Sequence, residues 1–525
     1  MNKLYNKYTE HLRQIADLKG ALALLHWDQE TYLPLNAACT RARQIGTLNS
    51  LTHTLLCKKS FRSLCEKLID QLPDGTKEKN NVLVTLHDLN RLEKLPAKHV
   101  EKLNKTISES FHAWQDARTN NNFNLFKPYL TKILDLKYKE AEFISPDEHP
   151  YNVMLDEFDK GLKVDETDRI FSQLKIILKD LIPKIVQAQD ILPDLLNKEL
   201  FSHQKQWETG IEVSKILGYQ YAIGRKDLST HPFTVSMSPT DVRITTRIDE
   251  NNFMEMLWST IHEVGHAVYE QGLNELDYGL PSGEACSIAI HESQSRYFEN
   301  NIGKSIPFLR NLWNLLDNNF GAQFSDISND TFYKLVNHIS PSLIRINADE
   351  LTYHYHIMIR YDIEKMLFEG KIKPKELPDA WNAAYQKYLN ITPNNIAEGV
   401  LQDVHWAHGS FGYFPVYSIG SLYAAQFEKI MSDQMSDYES HIKNLQFKDI
   451  IGWLKTNIYS KGRLMSSGNL CQNITGRKLN PEFFNAYIQK KYGELYGINF
   501  DLNTKEQNSE IRETSSDTLQ TVHGL

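Results

Sequence analysis

Residues 253–272 read FMEMLWSTIHEVGHAVYEQG. Phe253, Leu257, Ile261, Val264 and Val268 recur at three- and four-residue intervals, the period of a helix with one face in a core. An amphipathic helix is therefore expected over Met254 to Val268, with Gly272 as its stop. His262, His266 and Tyr269 fall on another face. His262 and His266 lie one turn apart, so both imidazoles can reach one metal ion. Glu263 is angled to hold a water on that metal. Its carboxylate can take the water's proton and pass it to a leaving amine. HExxH on a helix thus reads as a metal-dependent peptidase. The alternative is two ordinary histidines on a partly buried helix.

The rest of the chain follows the same period. Leu12 to Leu25, Phe126 to Phe143, Val164 to Ile182, Thr352 to Phe368 and Ile442 to Ile458 read as amphipathic helices. The best strand-like segment is Phe233 to Ile248, which is rich in β-branched residues and precedes the motif helix. The expected fold class is mainly α, with one small β-sheet beside the HExxH helix. Pro146 to Pro150, Pro281 to Gly283, Pro374 to Pro378 and Gly409 to Pro415 read as loops. The polar stretch 504–525 reads as a disordered tail, leaving 1–503 as one catalytic unit.

Composition narrows the function. The chain has 525 residues, 41% hydrophobic and 24% charged, with a formal net charge of −8. That argues against a general nucleic-acid binder, which needs a basic face. The five cysteines are widely spaced and include no CxxC pair. They suggest neither a zinc ribbon nor a disulfide framework, and a reduced compartment fits best. No signal peptide and no membrane span is read, so the expected location is the cytoplasm.

A third protein ligand must come from outside HExxH. Tyr269 and Gly272 occupy the positions that the extended three-histidine motif requires, so a carboxylate is expected instead. Glu270, Glu275, Glu284, Glu292 and Glu299 are candidates. Glu292 is preferred: it sits in a second amphipathic segment, Glu284 to Asn300. Pro281-Ser282-Gly283 can turn the chain so that the two helices run antiparallel. The competing reading for any one of these glutamates is a solvated charge.

Six ordered motifs carry a family resemblance. They are His231-Pro232-Phe233; Asp241 to Thr245 (DVRIT); HEVGH; His291-Glu292-Ser293; Ile344 to Asp349 (IRINAD); and Gly399 to Trp406 (GVLQDVHW), followed by FGYFP. Together with LLHWDQETYLP near the start and KKYGELYGI near the end, they make the chain resemble the thermostable, Taq-type metallocarboxypeptidases. The resemblance implies a helical clamshell with a deep central groove, commonly a homodimer. It implies release of single residues from peptides with a free C-terminus, with broad specificity. It implies one divalent metal per chain, zinc first, with cobalt or manganese as alternatives. His262, His266 and Glu292 become the ligands and Glu263 the general base. Arg345 becomes the group that holds the substrate carboxylate, a task suited to the planar guanidinium fork. His231, His405, Tyr413 and Tyr417 are candidates for lining the groove or stabilising the oxyanion. Each could equally be a core residue. Asp241, Arg243 and Thr245 are expected to stabilise the site, and Asp403 to orient a ligand histidine. Two positions depart from the family pattern, where Glu often stands at Asn347 and Arg at Lys304. An endo-acting oligopeptidase and a non-catalytic helical binding protein are the competing readings.

Overall fold

The computed structural model describes residues 3–190, 200–325 and 327–500. The tail expected over 504–525 lies outside the described residues. Among those described are twenty α-helices and one three-stranded sheet, so the mainly α reading holds. Four of the six periodic stretches fall inside single helices, Lys3–Thr31, Phe123–Ile144, Val164–Ala188 and Phe253–Gly272, and a fifth matches Tyr353–Phe368 except for Thr352, its N-cap.

The sixth, Ile442 to Ile458, is broken. It spans part of Tyr438–Lys443 and all of Phe447–Asn457, with Leu445 between them at φ 56°. The Gln446 amide returns to the His441 carbonyl at 2.8 Å and the Leu445 amide to Ile442 at 3.1 Å. This is a Schellman closure with leucine where glycine is usual. Three prolines read as loop markers instead begin helices: Pro150, Pro378 and Pro415 each sit in a first turn. Proline fits there because the first-turn N–H has no intrahelical acceptor.

The sheet comprises β1 (Gly224–Leu228), β2 (Thr234–Ser238) and β3 (Asp241–Thr246), in the order β1-β3-β2. β3 runs parallel to β1 and antiparallel to β2. The strand-like segment of the sequence thus becomes a hairpin, β2 and β3. β1 escaped notice because GRKDL has neither β-branched residues nor alternation. The Phe253–Gly272 helix packs across β2 and β3, with Val242 and Ile244 of β3 fully buried. Gly272 does end that helix, but for a packing reason. A Cβ there would lie 2.3 Å from the Tyr459 ring.

Among the described residues there are two apolar cores. The smaller joins Tyr5, Tyr8, Leu12, Phe61, Leu68 and Val82 of the N-terminal helices. The larger runs through the rest of the described chain.

One residue of the sheet is costly. Lys226 on β1 is 5% exposed and its Nζ has no hydrogen-bond partner. The nearest compensation is the Trp207 ring, 5.0 Å away. Burial pushes the Lys226 amine down to about 7. Both folded and unfolded chains carry the charge below that pH, so the penalty is complete there. It fades as pH rises toward the ordinary lysine value. Lys226→Met is expected to stabilise the protein by about 1–3 kcal/mol at pH 6, with a smaller gain above pH 9. Denaturant unfolding at the two pH values checks this, and an equal gain at both would refute the buried-charge account.

Candidate metal centre and active site

The Phe253–Gly272 helix presents His262, Glu263 and His266 at the floor of a cleft of about 750 Å³. The second helix of the site is Ile288–Arg296, capped by the Ser287 hydroxyl, which accepts from the Ile290 amide at 3.1 Å. The two helices run antiparallel. His262 meets Glu299, Gly265 meets Gln294 and Ser295, and Glu270 meets His291. They approach closely because residue 265 is glycine: a Cβ there would lie 2.6 Å from Ser295 Cα.

One ligand-type atom from each of His262, His266 and Glu292 lies within 4.8 Å of the others. Glu292 Oε2 is 3.8 Å from His262 Nε2 and 3.6 Å from His266 Nε2. Ligands about 2.0–2.1 Å from one tetrahedral ion would stand about 3.3 Å apart, so these residues fit a divalent metal with a small contraction. Glu270, Glu275, Glu284 and Glu299 are not part of this cluster. Glu270 bonds His291 at 2.9 Å, and Glu284 pairs with Arg463 at 2.7 Å.

Glu299 has a different place from the one weighed for it. Its Oε2 accepts from His262 Nδ1 at 2.9 Å. A carboxylate only accepts, so a proton sits on Nδ1, and in the neutral imidazole the Nε2 lone pair then faces the cluster. Glu299 stands on the π-helical turn Tyr297–Gly303 that continues the Glu292 helix. Burial opposes its ionisation, but Lys304 and Arg296 together with His262 hold its carboxyl well below the usual range. Arg296 also donates to Glu292 Oε1 at 2.7 Å, which leaves Oε2 toward the histidines. Gly420 adjoins the other side of Glu292, where a Cβ would lie 2.7 Å from Glu292 Cγ.

Glu263 is gripped from the sheet. Thr234 Oγ1 lies 2.6 Å from Glu263 Oε2 and 2.9 Å from its carbonyl oxygen. Burial pushes the Glu263 carboxyl above its ordinary value. The sequence reading missed Thr234, which directly follows His231-Pro232-Phe233. Thr245 fixes that segment: its Oγ1 accepts from the Phe233 amide at 2.9 Å, and its own amide donates to the Phe233 carbonyl at 2.9 Å. Arg243 pairs with Asp241 at 2.8 Å and stacks on Trp27 at 4.5 Å. All three residues therefore buttress the sheet.

The remaining candidates divide. Tyr413 and Tyr417 line the cleft, whereas His231 is exposed and stands outside the lining. His405 and Arg345 lie behind the wall. Burial pushes the His405 imidazole down to about 3, and its Nε2 lies 3.2 Å from the Tyr417 hydroxyl. Arg345 is 7% exposed, and the Tyr417 ring covers its guanidinium at 5.0 Å. Asp403 does not orient a ligand histidine. Its carboxylate holds Arg345 at 2.8 Å and Arg360 at 2.7 Å. Burial raises the cost of that charge, yet the two guanidiniums keep Asp403 ionised far below the usual carboxylate range. Arg360, fully buried on the Tyr353–Phe368 helix, was invisible as a site residue because nothing marks it apart from its neighbours in sequence.

The comparisons agree with this geometry. The family model described as carboxypeptidase Taq (M32) metallopeptidase matches residues 7–492. Carboxypeptidase 1 of Bacillus subtilis is 34% identical over 491 residues, covering 93% of this chain and 98% of that one. Thermostable carboxypeptidase 1 of Thermus thermophilus is 34% identical over 508 residues, covering 94% and 99%. The crystal structure of an M32 carboxypeptidase from Deinococcus radiodurans superposes with a TM-score of 0.91 at 35% identity, covering 95% of this chain and all of that one. None of the described helices is long and apolar enough to cross a membrane. A helical frame, a two-histidine, one-carboxylate cluster and matches over nearly the whole length lead to one assignment: the chain belongs to the carboxypeptidase Taq (M32) family and is a metallocarboxypeptidase that acts on peptides with a divalent metal.

Proposed function

We propose that the chain releases single C-terminal residues from peptides of varied sequence, with Glu263 as the base that activates water. The observation that carries this reading is the convergence of His262, His266 and Glu292 within 4.8 Å of one another, beside Glu263 on the floor of the cleft. These three residues are the proposed ligands of a zinc ion, with cobalt or manganese as substitutes. The ion, when bound, supplies Lewis-acid polarisation of the scissile carbonyl and lowers the pKa of water. The protein's own part is orientation and proton transfer. Thr234 holds one oxygen of Glu263, and the other is free to take a proton from water and deliver it to the leaving amine. Tyr413 and Tyr417 are the proposed donors to the developing oxyanion or the substrate carboxylate. His405 acts through the Tyr417 hydroxyl, and His231, which stands outside the cleft lining, is given no substrate contact.

Arg345 is the proposed anchor of the substrate's terminal carboxylate. Asp403 engages its Nε and one terminal nitrogen, while the other faces the Tyr353 hydroxyl at 3.4 Å. For a substrate carboxylate to reach that nitrogen, the Tyr417 ring, 5.0 Å from the guanidinium, must move aside. A peptide ladder digested with and without chelator, read by mass spectrometry, tests exo action and metal need together. C-terminally amidated peptides are expected to be cleaved at least about 100-fold more slowly than free acids, because the anchor then lacks its anionic partner. Equal rates, with cuts inside the chain, would favour the endo-acting alternative.

The proposed organisation is one catalytic unit with two lobes around the cleft, in line with the two apolar cores. A cytoplasmic location is proposed on the five free cysteines. A homodimer is proposed on the exposed apolar side chains Tyr32, Leu35 and Leu51 near the N-terminus. Sedimentation equilibrium checks the dimer.

A further inference from the structure

We infer that His291 is a positioning residue: it sets the tautomer of His266 and so controls metal affinity, relaying Glu270 to a ligand it cannot reach itself. The inference rests on the proposed ligand set and deepens it. His262 has a carboxylate directly on Nδ1, from Glu299. His266 has none. Its Nδ1 meets His291 Nδ1 at 2.6 Å, and His291 Nε2 meets Glu270 Oε1 at 2.9 Å.

The chain of bonds has one consistent proton arrangement for a neutral His291. The Glu270 carboxylate can only accept, so His291 Nε2 carries a proton. His291 Nδ1 is then a lone pair. Two lone pairs cannot face each other at hydrogen-bond distance, so His266 Nδ1 carries the proton of the 2.6 Å contact. That leaves His266 Nε2 as a lone pair, pointing at Glu292 Oε2 3.6 Å away. Both ligand histidines thus end on a carboxylate, one directly and one through a second imidazole.

Geometry explains the detour. Glu270 follows His266 by four residues on the same helix, which places it along the helix rather than behind the imidazole. His291 reaches in from the antiparallel helix and fills the gap. Its ring lies 4.5 Å from the His266 ring and 5.3 Å from the Tyr269 ring, which hold its orientation. The Tyr269 hydroxyl in turn accepts the Cys286 amide at 2.9 Å, just ahead of the Glu292 helix. His291 also precedes Glu292 in the chain, so one short segment supplies a ligand and the orienting group of another ligand.

The test measures zinc affinity of the full-length protein by chelator competition, alongside thermal unfolding of the metal-free form. His291→Ala is expected to weaken zinc about 10–100-fold, with the metal-free melting temperature unchanged. His291→Asn is expected to recover most of the affinity, because its side-chain carbonyl can accept the His266 Nδ1 proton. Glu270→Gln is expected to weaken zinc less than His291→Ala. His266→Ala is the control for the ligand set and should remove tight binding. Zinc affinity within twofold of the parent in His291→Ala, while His266→Ala loses it, would overturn the inference and leave the ligand set standing. Tight binding retained in His266→Ala would overturn both. An Asn variant no better than Ala would also overturn the tautomer argument.

Discussion

Glu263→Gln is expected to lower kcat by about 10³–10⁴-fold while the purified protein keeps one divalent metal per chain. The two parts of this result have separate causes. Gln is nearly the same shape as Glu, so the Thr234 hydroxyl keeps a carbonyl oxygen to bond at the position of Glu263 Oε2. The helix and both histidines therefore stay in place. What is lost is the carboxylate that accepts a proton, and an amide cannot replace it. Burial pushes the Glu263 carboxyl above its ordinary value, toward the range in which a base both takes and returns a proton. Elemental analysis and single-turnover kinetics on the same preparation separate the two effects. Activity above about a tenth of the parent would sink the general-base role. Loss of the metal would instead mean that Glu263 helps to hold the ion.

The Glu263 neighbourhood also shows how far sequence alone reaches. The helix, its apolar face and the one-turn spacing of His262 and His266 follow from periodicity. A turn at Pro281 to Gly283 and a second amphipathic segment make Glu292 the preferred one of five glutamates, and only the family resemblance singles it out as a ligand. The partners of these residues do not follow. Thr234 is an unremarkable strand threonine until β2 folds against the helix. Glu299 was visible as a carboxylate, but its pairing with His262 depends on the π-helical turn after Arg296. Arg345 was legible as a lone arginine in a motif. Its burial under Tyr417 and its sharing of Asp403 with Arg360 are tertiary facts. At Leu445 the failure is of another kind. A leucine in the left-handed region breaks an otherwise helical pattern, and no glycine or proline announces it.

Gly265→Val is expected to abolish tight zinc binding, a loss of about 100-fold or more, and to destabilise the fold by about 1–3 kcal/mol. Glycine inside a helix is intrinsically unfavourable, so its presence within HExxH needs a reason. The reason is the neighbouring helix. A Cβ at 265 would meet Ser295 Cα at 2.6 Å and the Gln294 carbonyl oxygen at 2.7 Å, both backbone atoms that cannot swing aside. A branched side chain must push the two helices apart. That displaces Glu292, whose Oε2 already stands 3.6 and 3.8 Å from its two histidines. It also strains the His262–Glu299 and His266–His291 bonds that cross the same interface. Gly420→Ala tests the close packing on the other side of Glu292. Its Cβ would press on the Glu292 side chain itself, 2.7 Å from Cγ. It would also lie 2.8 Å from Glu292 Cβ and 3.2 Å from the Ala289 carbonyl oxygen, which no rotamer change can move, so Gly420→Ala is expected to cost about 1–3 kcal/mol of stability and to weaken zinc about tenfold. Zinc titration and denaturant unfolding of both variants decide the matter. If Gly265→Val binds zinc as the parent does, close approach of the helices is not what assembles the centre. If Gly420→Ala loses stability and keeps its zinc, residue 420 serves packing rather than the aim of Glu292.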